Sequence, residues 1–229
     1  MVFALGYLNM TKTEWRLETL PENTHRALDY LSGQQWLAHD GWYLAGGTAL
    51  ALQVGHRQSV DLDFFLPQKT FVPNAVTNHF SGKSWEADIV QDGTVYGTVH
   101  RAKVSFIAYP FFIPALPKLK YGSVEILDKD DIAVMKVIAI SQRGRKRDFI
   151  DLYWYVNNIA SLISVIEKLP NQYPEVAHNF HHIIKSLTYF DDADKDPVPM
   201  LLFDVTWDKV KSYFRTQVPL AAKKLLHLG

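Results

Sequence analysis

Asp61 and Asp63 stand two apart in Val60-Asp61-Leu62-Asp63-Phe64-Phe65-Leu66, an alternating stretch stopped by Pro67. On an extended chain this spacing turns both carboxylates to one face, about 6–7 Å apart along the backbone. Two oxygen donors so placed can share a divalent cation, Mg²⁺ above all, that also binds a triphosphate. Spacing alone does not single them out. With 17 Asp in 229 residues chance supplies such pairs, and Asp128/Asp130, Asp192/Asp194 and Asp194/Asp196 repeat the pattern. Those pairs fall at a predicted helix start or in a polar loop, where Asp caps or is solvated. Asp61 and Asp63 fall inside an apolar strand, where neighbouring negative charges call for a cation.

Four other groups of residues have a chemical reading and a plainer one. Gly46-Gly47-Thr48 lies between a predicted strand and a predicted helix. It suits close approach of a phosphate to free N–H groups, or is simply a tight turn. Lys136 lies in Ile132–Ile140, apolar on nearly every helical face. It is either buried and paired, or reaches out from a half-exposed face. Asp148 and Asp151 are spaced i, i+3 and share one side of the next helix. Asp148 could complement that helix's N-terminus, whereas Asp151 sits between Ile150 and Leu152. Arg143, Arg145, Lys146 and Arg147 form the one dense basic cluster, either a solvated interhelical loop or a grip on phosphate. His178, His181 and His182 have a spacing that zinc tolerates, with no further ligand apparent nearby. Tyr153, Trp154 and Tyr155 read as helix-packing aromatics.

The elements that must position these residues follow from periodicity and punctuation. A helix is predicted from about Pro21 to Leu37, a strand over Trp42–Ala45, a helix over Thr48–Val54 closed by Gly55, and the carboxylate strand over Val60–Leu66. A helix around Asn74–Phe80 and strands near Trp85–Gln91, Thr94–His100 and Lys103–Tyr109 follow, with Asp92-Gly93 as a hairpin turn. A short strand over Ser123–Leu127 ends this part. Helices are then predicted over Asp128–Arg143, Arg147–Ile159, Ser161–Leu169, Val176–Phe190 and Trp207–Leu228, with Asp191–Pro199 as a polar loop. The reading is α+β: residues 1–127 form an α/β core and residues 128–229 a helical region that completes the same cleft.

Composition narrows the partners. The 24 Lys+Arg balance the 24 Asp+Glu, and neither half is a basic arm or an acidic tail. A strongly basic grip on long duplex nucleic acid is therefore disfavoured. Cysteine is absent, which excludes thiolate chemistry and disulfides. The longest apolar run, Val104–Leu116, is short for a membrane span and holds two prolines, and Met1–Met10 does not read as a signal peptide. The expected setting is cytoplasmic, with no membrane partner.

Three separated segments, Leu44–Leu52 with Gly46-Gly47-Thr48, Gly55–Phe65 with Arg57, Ser59, Asp61 and Asp63, and Lys146–Tyr153 with Asp148 and Asp151, resemble the AbiEii/AbiGii toxin family of nucleotidyltransferases. The resemblance runs from about residue 20 to 160. It implies a DNA polymerase β-like nucleotidyltransferase fold, with a mixed sheet flanked by helices and a helical C-terminal half. It implies that Asp61 and Asp63 hold the metal, Mg²⁺ or Mn²⁺. Gly46, Gly47 and Thr48 would cradle the triphosphate, and Arg57 and Ser59 would contact phosphate. Lys136, Asp148 and Asp151 match the family's later lysine and aspartate positions, with Lys136 and Asp151 catalytic and Lys136 and Asp148 also nucleotide-binding. Ser105 stands where the third carboxylate common in the wider superfamily would fall, so Asp151 is expected to share the general-base role, or metal coordination to suffice.

The function so implied is transfer of an NMP from an NTP to an acceptor hydroxyl, tRNA or another RNA being the expected acceptor. The protein would be the toxin of an abortive-infection or toxin–antitoxin pair with a cognate antitoxin. A protein-nucleotidylating enzyme and a non-catalytic nucleotide- or partner-binding module are the alternatives.

Overall fold

A computed structural model describes residues 13–80, 85–175 and 180–225 of the chain. In the first half, helices α1 (Glu22–Ser32) and α2 (Gln35–His39) precede strand β1 (Tyr43–Ala45), helix α3 (Gly46–Val54), strand β2 (Leu62–Leu66) and the short α4 (Asn74–Thr77). Strands β3 (Trp85–Gln91), β4 (Thr94–Val99), β5 (Ala102–Ala108), β6 (Leu119–Tyr121) and β7 (Val124–Ile126) come next. The second half is helical: α5 (Lys129–Arg143), α6 (Lys146–Asn158), α7 (Leu162–Ile166), α8 (Leu169–Gln172), α9 (Phe180–Ser186), α10 (Asp191–Lys195) and α11 (Trp207–Leu225).

The strands form one mixed sheet in the order β3-β4-β5-β2-β1-β7-β6, with β2 parallel to β5 and β1 parallel to β7. Period-2 alternation divides β2 cleanly. Leu62, Phe64 and Leu66 are buried on one face, where Phe64 stacks on Phe106 and Phe106 meets Trp36 and Trp42. Asp63 and Phe65 turn to the opposite face. That face is where the helical half meets the sheet across a cleft.

Several boundaries differ from the sequence reading. The first predicted helix divides at Gly33, because Gln34 is extended, and α2 starts afresh. Strand β2 begins at Leu62, so Asp61 precedes the ladder rather than belonging to it. Strand β6 was not foreseen: its three residues lie between Pro117 and Gly122, too few to show a period. The predicted polar loop at 191–199 contains α10, with acidic residues in its first turn where the helix dipole favours them. The β4–β5 turn places His100 at φ 49° and Arg101 at φ 66°, left-handed conformations normally given to Gly or Asn. Helix α1 holds this turn from outside: Asn23 donates to the Arg101 carbonyl at 3.1 Å, and Tyr30 packs edge-on against His100.

The C-terminal region also returns to the first half of the chain. Gln58 N–H donates to the Met200 carbonyl at 2.8 Å and Leu202 N–H to the His56 carbonyl at 2.9 Å, with an antiparallel bridge between Arg57 and Leu201. The loop joining α3 to β2 is therefore clamped by residues far along the chain. Among the described residues no single helix is long and apolar enough to cross a membrane. His178 and the start of its predicted helix lie outside the described residues, as does the end of the predicted Trp207–Leu228 helix.

Candidate active site

Strand β1 ends at Ala45, which pairs with Asp63 in the antiparallel register, so the glycine turn is built directly beside the carboxylates. Gly46 has φ +75°, and a Cβ there would lie 3.2 Å from Asp63 Oδ2. A Cβ on Gly47 would run into the Arg57 guanidinium. Gly46 is thus required by its left-handed backbone and Gly47 by close packing, and α3 opens on these glycines, with its first N–H groups unpaired within the helix. Thr48 is buried. Its Oγ1 bonds to the Asp61 carbonyl and, at 2.8 Å, to Ser59 Oγ. The hydroxyls expected to contact phosphate therefore pair with each other and pin the turn to the segment leading into β2, leaving backbone N–H groups to face a ligand.

Behind the turn lies a buried ion network. Asp151 Oδ1 accepts from Arg57 Nε at 2.6 Å and His56 Nε2 at 2.8 Å, while Oδ2 accepts from Arg57 at 3.0 Å and Lys136 Nζ at 2.6 Å. Lys136 also donates to Asp148 Oδ1 at 2.7 Å, and Arg143 grips both Asp148 oxygens at 2.9 and 3.1 Å. Asp148, Asp151 and the His56 ring are fully excluded from solvent. Burial by itself would raise both carboxyls. The charges of Arg57 and Lys136 overcome it at Asp151, which is held well below the usual range, and those of Lys136 and Arg143 hold Asp148 down. His56 is kept below its ordinary value, mainly by burial, so it is neutral, donates from Nε2 and leaves Nδ1 without a partner.

This geometry corrects two expectations. Arg57, expected to contact phosphate, lies beneath Gly47 as the bidentate partner of Asp151. Asp151 is not placed to take a proton from an acceptor, because each oxygen already accepts from two cationic or ring N–H donors and its carboxyl is strongly acidic. Lys136 is buried and paired, the first of its two readings.

The cleft in front has a volume of about 550 Å³, within the span typical of small-molecule sites. Gly46, Gly47, Asp61, Asp63, Arg143 and Arg147 line its polar end, and Ile132, Met135 and Ala139 of α5 face Phe65 and Ile107 across it. Asp63 is pushed above the usual carboxylate range, first by burial and then by the charge of Asp61, although the Ser105 hydrogen bond opposes this. Arg147 reaches Asp61 Oδ2 at 3.3 Å. The basic cluster is split by helix geometry. Arg143 and Arg147 face the cleft, whereas Arg145 pairs with Asp196 at 2.8 Å and Lys146 lies over Trp207 and bonds to Asp196.

The carboxylate pair fits a divalent cation on its own chemistry. Both groups are oxygen donors, Asp63 carries an incompletely compensated charge, and the Arg147 guanidinium stands on Asp61 as a cation would. Among the described residues no group of three or more His, Cys, Asp or Glu converges. The remaining ligands would be phosphate oxygens and water, the usual habit of Mg²⁺. Ser105 lies in register with Asp63 and donates to its Oδ1 at 2.6 Å, so a hydroxyl stands beside the pair where a third acid was considered.

Two residues escaped the sequence reading. His56 carries no local signal of its role, because its contact with Asp151 spans 95 positions. Asp88 on β3 lines the far end of the cleft because the β3–β4 register slips between Ala87 and Ile89. The slip leaves no mark in residue types.

Known proteins resemble this chain in sequence and in fold. A family model described as nucleotidyl transferase AbiEii toxin, type IV TA system, matches residues 30–226, well past residue 160 where the recognisable motifs end. An uncharacterized protein of Aquifex aeolicus is 33% identical over 181 residues, 77% of this chain and 86% of its own length. The crystal structure of a candidate nucleotidyltransferase from H. pylori superposes with a TM-score of 0.53 at 16% identity, covering 91% of this chain and 99% of that one, which places the two in one fold.

Proposed function

The chain belongs to the AbiEii nucleotidyl transferase toxin family of type IV toxin–antitoxin systems, and from that premise we propose that it moves an NMP from an NTP to an RNA hydroxyl, tRNA being the foremost candidate. The observation that carries this reading is the meeting, in one cleft, of an open carboxylate pair with a glycine turn at a helix N-terminus and a cationic floor. Asp61 and Asp63 would hold Mg²⁺ or Mn²⁺, which when bound supplies neutralising charge at the α-phosphate. The N–H groups of Gly46, Gly47 and Thr48 hold the β- and γ-phosphates, with Arg143 and Arg147 at the rim. Lys136 and Arg57 act from below through their charge, fixed in place by Asp148 and Asp151. The acceptor oxygen forms a bond to the α-phosphorus as the bond to the α–β bridging oxygen breaks. Pyrophosphate leaves with that electron pair, and the hydroxyl proton passes to solvent.

A cognate antitoxin partner and an abortive-infection role in the cytoplasm belong to the same proposal. Incubation with α-labelled NTPs, Mg²⁺ and total RNA is expected to label RNA. Asp61→Ala and Asp63→Ala should lower the rate at least about a hundredfold while the chain stays folded. No label on any acceptor, beside an active control enzyme, would refute the reading. Label on protein alone would select the second reading, protein nucleotidylation, which the zero net charge favours.

A further inference from the structure

The sheet order sets the direction from which the acceptor must arrive. The phosphate-holding turn lies on the β1 side of the carboxylates, since Ala45 pairs with Asp63. In phosphoryl transfer the attacking and leaving oxygens stand roughly in line on opposite sides of the phosphorus. With pyrophosphate held on the β1 side, the acceptor enters over β5 and β4. Ser105, Tyr96 and Lys103 occupy that wall. Tyr96 is the register partner of Ser105, and Lys103 precedes Ser105 by two residues on the same strand face. Their backbones stand about 5 Å (Ser105) and about 10 Å (Tyr96) from β2, with Lys103 about 7 Å further along β5.

Every other lysine or arginine lining the cleft is engaged with a carboxylate: Arg57 with Asp151, Lys136 with both Asp148 and Asp151, Arg143 with Asp148, Arg147 with Asp61. Lys103 is exposed, and among the described residues its ammonium has no hydrogen-bond or ion-pair partner. Tyr96 is half-buried in the same wall, with neither a ring contact nor a hydroxyl partner among the described residues. A free cation beside a free aromatic face is what a single nucleotide with its phosphodiester recognises. Beyond them the bulge turns Asp88 into the cleft, and its charge repels a second phosphate. We infer that Lys103 and Tyr96 form the acceptor subsite, and that it takes the terminal nucleotide of a single RNA strand, Lys103 holding one phosphodiester and Tyr96 stacking on the base. This rests on the transfer reading above, and the two can fail separately.

Binding of a 5′-fluorescein-labelled single-stranded oligoribonucleotide pool to the full chain, followed by anisotropy over a range of NaCl, tests it directly. KM for RNA and for NTP is measured beside it in the label-transfer assay. Lys103→Met should weaken RNA binding about tenfold. It should lower the slope of log affinity against log salt by about 0.7, one contact on a single strand, and raise KM for RNA with KM for NTP unchanged. Lys103→Arg should preserve the slope, and Tyr96→Leu should weaken binding at constant slope. Lys120→Met, on the far edge strand β6, controls for net charge and should change nothing. An unchanged slope in Lys103→Met, or a shift in KM for NTP instead, overturns the assignment even if transfer to RNA occurs. Lys103-dependent binding without any transfer would sustain the subsite and defeat the transfer reading.

Discussion

Two of the molecule's close pairs of aspartates meet opposite fates. Asp148 and Asp151, three apart on α6, are completely buried, and Arg57, Lys136 and Arg143 surround them. Asp61 and Asp63, two apart at the start of β2, line an open cleft, and among the described residues their one ion pair is Arg147 on a single oxygen of Asp61. The first pair is saturated and serves as scaffold. The second is short of positive charge, which is what a site for a metal–nucleotide complex requires. Residue type and spacing do not separate a ligand from a brace; the number of cations within reach does.

The largest expected effect comes from emptying the saturated pair. Asp151→Ala leaves Arg57 and Lys136 buried with too little negative charge, and should cost about 3–5 kcal/mol in urea unfolding. A loss below about 1 kcal/mol would mean that the network is dispensable and the contrast false. Next comes filling the open pair. Mg²⁺ or Mn²⁺ at about 100 times its dissociation constant should raise stability by about 2.7 kcal/mol, and chelation should reverse this. Equal stabilisation of Asp63→Asn would place the ion elsewhere.

The smallest effect separates the pairs by the sign of their response to protonation. Asp63 has a raised folded pKa, so its contribution is present below its unfolded value of about 3.9 and lost as pH rises through the folded pKa. Asp63→Asn should therefore stabilise the metal-free chain at neutral pH, by about 1 kcal/mol. Asp148 and Asp151 have depressed pKa values, so their contribution is present above about 3.9 and lost as pH falls through the folded values. His56, buried neutral, adds a loss that begins as pH falls below about 6.5, where the unfolded chain starts to take the proton. Thermal melts of the wild type, Asp63→Asn and Asp148→Asn between pH 3 and 8 distinguish these slopes. Destabilisation by Asp63→Asn at neutral pH would contradict the account.

Much of the frame was legible because it is local. Alternation marked β2, the glycines marked the turn into α3, and Asp128 marked the start of α5, where its side chain accepts from Asp130 N–H at 2.9 Å. Where local cues are weak the reading slipped. The three-residue β6 is too short for a period, and the His100-Arg101 turn lacks the residues that its dihedrals prefer, being held instead by Asn23 and Tyr30 of α1. In the site, the residues were found more readily than their partners. Thr48, Ser59 and Arg57 are expected from the sequence to contact phosphate, but Thr48 and Ser59 bond to each other and Arg57 lies beneath Gly47, paired with Asp151.

The sequence by itself determined which residues could share a strand face, a helix side or a turn, because those relations depend only on the repeat of the local backbone. Tertiary structure alone decided which charges meet. Arg57 reaches Asp151 across 94 positions, Arg147 reaches Asp61 across 86, and Asp88 enters the cleft through a register slip. Coulomb energy depends on separation and on exclusion of water, and the folded chain sets both.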